Sequence, residues 1–182
     1  YVLRYLAQHH TVTLVSFTRA SDTPAAIAHL QELCHAVHCV PMPRSRLRDV
    51  IHLTKSLMTG RPFIIERDWV PAMTQLLRNL VNGPTHFEAI HADQLWMAPY
   101  ALWMQRIIRE HQPATGKLPL LVLDQHNAVY MIPERLARQE HNPLKRMLLT
   151  WESRKLAHFE VDTCLKFQRV TWVTDEDYDA VQ

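Results

Sequence analysis

The chain has 182 residues, 47% of them apolar, and a formal net charge of +2. That suffices for one α/β domain with a real core and is short for two, and the charge is too weak to mark a nucleic-acid binder. Three glycines, Gly60, Gly83 and Gly116, leave no Gly-rich phosphate loop, and no apolar run approaches a membrane span of about 18 residues.

Tyr1 to His10 reads as the later part of an amphipathic helix with no capping residue ahead of it, so an upstream strand is expected. Thr11 to Phe17 is β-branched and apolar, hence a strand. Asp22 can cap a helix with Pro24 in its first turn, running to about Cys34. Ala36 to Val40 is a short strand closed by Pro41 and Pro43. Arg44, Arg46 and Arg48 introduce a helix through about Thr59. These arginines could meet a phosphate or an anionic membrane surface, although a solvated helix start is the plainer reading.

Gly60-Arg61-Pro62 is a turn, and Trp69 to Val81 a helix with Val70, Met73, Leu76, Leu77 and Leu80 on one side, ended by Asn82-Gly83-Pro84. Phe87 to His91 is a strand that runs into His91, Asp93 and Gln94. A helix over Ala98 to His111 and a loop over Gln112 to Lys117 follow. Leu118 to Leu123 is apolar on both faces, as a central strand of a parallel sheet is, and breaks into Asp124, Gln125, His126 and Asn127. Glu134 to Gln139 is helical. Asn142-Pro143 restarts the helix, which runs to about Phe167 with Leu156, Phe159 and Phe167 on one stripe and Glu152 and Glu160 at its edges. Arg169 to Val173 is the last strand, and Thr174-Asp175 opens another helix. The alternation of helix and strand, without a repeat or internal boundary, predicts a single domain over 1–182. Its fold class is α/β, a doubly wound, Rossmann-like parallel sheet with helices on both faces.

Cys34, Cys39 and Cys164 form no CxxC, and their odd number argues for reduced thiols in a cytosolic setting. The Cys34 to Cys39 stretch fits no common zinc spacing, and GxSxG, P-loop and HExxH motifs are absent, so no metal and no cofactor is expected. Two strand-end clusters remain: His91, Asp93 and Gln94, and Asp124, His126 and Asn127. In open α/β sheets ligands bind outside the carboxyl ends of the strands. If the strands are neighbours, the clusters share one crevice and could hydrogen-bond a polyhydroxylated ligand, with a carboxylate or imidazole as general base. Such residues also serve as turn formers and caps, and Asn127 suits a helix cap.

The order of pieces resembles the N-terminal domain of family-four-like glycosyltransferases of the GT-B type. The likeness runs through RYLAQHHTVTLVSF, LCHAVHCVPMPR, GRPF, FEAIHADQLWMAPYA, LVLDQHNAVY, HFE and RVTWVTDEDYDAV, nearly the whole chain. HADQLWMAPYA and LDQHNAVY are its most specific parts. The resemblance implies a domain that binds the sugar acceptor, facing a downstream donor-binding domain that holds a nucleotide-sugar. It further implies glycosyl transfer to a saccharide or lipid-linked acceptor, commonly with retention and without an obligatory metal. His91 and His126 match the histidines at the cleft, which makes them the catalytic candidates; Asp93, Gln94, Asp124 and Asn127 are the acceptor-binding candidates.

The sequence departs from that pattern in lacking the Gly-rich loop and the donor-binding domain, so this chain alone is expected to be inactive. A cytoplasmic location at the inner face of a membrane, with peripheral membrane contact, is the matching expectation. Unmet apolar surface at Tyr1 and Gln182 would favour self-association. Two other classes fit the same clusters: a sugar- or phosphate-binding module without chemistry, and part of a GT-B sugar-nucleotide epimerase.

Overall fold

The computed structural model describes residues 2–42, 44–111 and 117–181. They form two compact units, Tyr1–Ser45 and Arg46–Gln182, each of helices and parallel strands. The helix start at Tyr1, the closing Pro43, most of the loop before the central strand (112–116) and the chain end at Gln182 lie outside the described residues. No helix among the described residues is long and apolar enough to cross a membrane.

The first unit runs α1 (Val2–His9), β1 (Thr13–Thr18), α2 (Pro24–Leu33) and β2 (Ala36–Pro41). β1 and β2 pair in parallel, from Thr13 opposite Ala36 to Thr18 opposite Pro41. Thr23, one residue after the expected cap, opens α2: its hydroxyl accepts from the Ala26 amide. Asp22 instead accepts from the Arg19 amide at 2.8 Å, closing the preceding turn.

The second unit opens with three helices, α3 (Arg46–Thr59), α4 (Phe63–Arg67) and α5 (Pro71–Val81). Gly60 ends α3 at φ +70°, a left-handed conformation that glycine adopts without a Cβ penalty. Its polar side faces inward: Ser56 is buried and Arg48, Asp49 and His52 are half-buried, while Leu47, Val50, Ile51, Leu57 and Met58 are exposed. α5 buries Met73, Leu77 and Val81, the side its apolar spacing predicts. The short α4 has no counterpart in the sequence reading. It is tied down by Tyr100, whose buried hydroxyl donates to the Asp68 carbonyl at 2.7 Å and accepts from the Val70 amide at 2.6 Å.

β3 (Ala89–Asp93), a 3₁₀ turn (Leu95–Met97), α6 (Ala98–His111), β4 (Leu120–Gln125), α7 (Met131–Gln139), α8 (Pro143–Cys164), β5 (Arg169–Trp172) and α9 (Asp175–Val181) complete the unit. The strands lie in the order β3-β4-β5, all parallel. Both crossovers step the same way across the sheet, and right-handed crossovers that do so put their helices on one face. There Ala92, Leu121 and Leu123 pack against Ala98 and Ala101 of α6 and against Phe167.

This corrects the picture of Leu118 to Leu123 as buried on both faces. Leu121 and Leu123 are 0% exposed, whereas Leu118 and Leu120 are 38% and 42% exposed. Both site strands run two residues further than their apolar runs, so Asp93, Asp124 and Gln125 belong to the strands themselves. α8 begins where Asn142-Pro143 predicts, with the Asn142 side chain accepting from the amides of Leu144 and Lys145 at 3.0 and 3.2 Å. It ends at Cys164, short of Phe167.

Candidate functional site

The two polar clusters meet because β3 and β4 are adjacent, with Asp93 opposite Asp124 in register. His91, Asp93 and Asp124 project from the sheet face opposite the packed helices, since alternate residues of a strand share a face. His126 follows β4 on an exposed bend and reaches back across the strands. Its Nε2 lies 3.0 Å from Asp93 Oδ1, and its Nδ1 lies 3.0 Å from Gln94 Nε2. An amide Nε2 can only donate, so Nδ1 accepts and Nε2 carries the proton toward Asp93. His91 Nε2 stands 3.8 Å from Asp124 Oδ2, and Asp124 Oδ1 accepts from the Thr171 hydroxyl at 2.8 Å. Of the six candidates, five thus share one constellation. Asn127 sits beside it, exposed, and does not cap α7, whose preceding residue is Tyr130.

Gln94 is the structural signature of the site. It takes φ 72° and ψ 162°, a region nearly reserved for glycine that costs about 1–3 kcal/mol for other residues. Its amide donates to the Asp124 carbonyl at 2.8 Å, and its carbonyl accepts from Met97 at 3.1 Å, so the strain is held from both sides. That backbone carries the side chain to His126. Gln94→Gly is therefore expected to keep or raise the melting temperature while freeing His126 Nδ1, a change visible in the imidazole nitrogen shifts. A melting point several degrees lower would show that the conformation is not strained.

The turn after β4 is immobilised by side chains from α8 and α9. Glu160, 0% exposed, accepts from Gln125 Nε2 at 2.8 Å and from the amides of Val129 and Tyr130 at 3.0 and 3.2 Å. Asp177 accepts from the Ala128 amide at 2.9 Å, and the Ser153 hydroxyl donates to the Tyr130 carbonyl at 3.1 Å. Burial pushes the Glu160 carboxyl above the usual range, outweighing its three N–H donors, with Asp177 adding to the rise. Hydrogen bonds from Thr174 and the Ala128 amide hold Asp177 below it.

Sequence reasoning placed Glu160 at the edge of the α8 stripe, named Gln125 in the polar run after the central strand without giving it a role, and missed Thr171 and Asp177. An acid one helical turn after the core residue Leu156 was the available signal for Glu160. Thr171 needs the β4–β5 register, which nothing local encodes.

Asp93, Asp124 and His126 each offer one ligand atom, all within 4.8 Å of one another, and could hold a divalent cation. Both His126 nitrogens are already engaged, so an ion would displace the Asp93 or the Gln94 contact. The three cysteines are free, and burial followed by nearby Glu160 pushes the Cys164 thiol to about 11, which leaves it a poor nucleophile.

Asp93 and His126 of the constellation are exposed, and Asp124 is half-buried. A cavity of about 170 Å³, lined by Val81, Phe87, Ile108 and Leu118 among others, lies toward the opposite ends of these strands. It touches none of the cluster residues. The fold and site together define a parallel α/β protein with an acid–imidazole–amide cluster at the carboxyl ends of adjacent strands. No protein-family model, no curated protein and no solved structure matches the chain.

Proposed function

We propose that this chain is the acceptor-binding half of a GT-B glycosyltransferase. It would help move a sugar, with retention, from a nucleotide-sugar held by a donor-binding domain to a saccharide or lipid-linked acceptor. The observation that carries the reading is the constellation of His126, Asp93, Gln94, Asp124 and His91 across two neighbouring strand ends. Oriented donors and acceptors so closely spaced suit a polyhydroxylated ligand. An acceptor hydroxyl laid over Asp93 and His126 meets a carboxylate that can take its proton and an imidazole whose ring is already oriented. Thr171 and His91 orient Asp124 in the same way from the other side. The one-directional order of β3, β4 and β5 fits one wing of a doubly wound sheet.

The exposure of Asp93 and His126 suits a second reading, that of a sugar- or phosphate-binding module without chemistry. Imidazole NMR on the chain, titrated with a panel of neutral saccharides and with inorganic phosphate, tests the proposal. Saccharide-dependent shifts of His91 and His126 together are the expected result. Shifts with phosphate alone would favour the module, and no shift with any saccharide would remove the acceptor-site reading.

A further inference from the structure

A second cavity, of about 320 Å³, opens beside α6 and is lined by Leu102, Gln105, Arg106, Arg109 and Lys166. The first four recur at three- and four-residue spacing and so form one face of the second half of that helix. Lys166 comes from a different segment. It follows the end of α8 at Cys164 and precedes Phe167, which packs in the core with Ala98 and Ala101 of α6. The chain bearing Lys166 is therefore held alongside the helix. Gln105 is buried, and its Nε2 donates at 3.1 Å to the carbonyl of Pro119, the residue ahead of β4. The cavity thus lies toward the amino-terminal ends of the strands, away from the His126 cluster.

Three cations border this space with little to neutralise them. Arg109 and Lys166 form no ion pair among the described residues, and Arg106 meets one exposed carboxylate, Glu110, through Nε at 3.5 Å. Basic residues in the last turns of a helix complement its dipole. That accounts for Arg109 but not for Lys166, which borders the same cavity from another segment. We infer that this cavity binds a dianionic phosphoryl group, free or carried by a small metabolite. Such a group brings up to about two negative charges and three acceptor oxygens, enough for all three cations, and guanidinium forks engage phosphate oxygens in pairs. The volume stands at the small end of ligand pockets, about 300–1,000 Å³, and so suits a metabolite and not a macromolecule. Leu102 and Gln105 are the uncharged part of the lining and would meet the carbon and hydroxyl portion of an ester. The Gln105 side chain makes one hydrogen bond among the described residues, through Nε2, which leaves Oε1 to accept from a hydroxyl. The inference stands independently of the sugar-transfer reading.

Isothermal titration and amide NMR of the chain with inorganic phosphate, with glucose 6-phosphate and with glucose, all in about 0.15 M NaCl to screen loose surface attraction, test it. Saturable binding of a phosphate, with shifts at the second half of α6 and at Lys166, is expected, and glucose should leave those amides unmoved. Tighter binding of glucose 6-phosphate assigns the cavity to an ester; equal or tighter binding of inorganic phosphate assigns it to the free ion. Arg109→Ala and, separately, Lys166→Ala should each weaken binding by at least about tenfold, as the loss of a charge-assisted hydrogen bond does, with unchanged circular dichroism. Both side chains are exposed, so the core does not need them. Failure of either phosphate to bind, affinity unchanged in either variant, or shifts centred on His91 and His126 instead, overturns the inference.

Discussion

Glu160→Ala is expected to lower the stability of the larger unit by about 3 kcal/mol or more and to release the turn that presents His126. The substitution leaves the amides of Val129 and Tyr130 and the Gln125 side-chain amide without their acceptor. Val129 and Gln125 are buried, so water cannot readily replace it. An unsatisfied buried donor costs about 1–3 kcal/mol, and the lost side-chain volume adds to this. Glu160→Gln keeps the shape and one acceptor oxygen and should cost less.

The pH dependence has a definite sign. The folded carboxyl of Glu160 lies above its unfolded value. Its contribution to stability is therefore fully present below the ordinary carboxylate range and is lost as pH rises through the folded value. Asp177 runs the other way: its contribution is present above that range and is lost as pH falls through its lowered value. Urea unfolding across the mildly acidic range should show the Glu160 limb in the wild type and lose it in Glu160→Gln. Amide exchange at Val129 and Tyr130 reports the released turn directly. If Glu160→Ala melts like the wild type and both amides stay protected, the carboxylate is not what holds the turn.

The second large effect is expected on chemistry. On the proposed acceptor-domain reading, His126→Ala in a chain joined to a donor-binding domain should lower sugar transfer by about 10²–10³-fold while costing little stability. The imidazole is half-exposed, and its contacts are to side chains of the cluster, Asp93 and Gln94, so the core does not depend on it. Its loss removes a hydrogen bond that strengthens as charge develops at the reacting hydroxyl. If the group moves a proton as well, the loss could reach about 10⁴-fold. Asn127→Ala is the control, being the neighbour on the same exposed bend without a place in the constellation. Near wild-type transfer by His126→Ala together with a clear drop in melting temperature would mean a turn residue and nothing more.

Local signals in the sequence were reliable where a helix was long or a cap was chemically explicit. α6 spans Ala98–His111 as its periodicity predicts, and Asn142-Pro143 marks the start of α8. The parallel α/β class follows from the order of those elements. What was not legible depends on partners far along the chain. The five-residue α4 is too short to show a period and is held by Tyr100. Leu120 looks like a core residue but faces the bare side of the sheet, because strand order decides which face helices cover.

The candidate site divides in the same way. Its residue types could be singled out from two polar clusters after apolar runs, but their contacts rest on the β3–β4 register and on the conformation of Gln94. Glu160 could be placed only at the edge of its helix stripe, because nothing in its own helix shows which backbone amides it will meet. The likeness to an acceptor-binding domain stands as a proposal on those residues.

The clamp on the turn also sets an order of events during synthesis. Val129 is held by a residue 31 positions further on and Ala128 by one 49 further on. β3, α6 and β4 can therefore pair and pack while the ribosome is still making α8. Until Glu160 and then Asp177 emerge, the bend bearing His126 has no anchor. The strand-end cluster would thus take its final shape only once α8 and α9 have been made. A nascent chain could be packed around β3 and β4 before its candidate site is fixed.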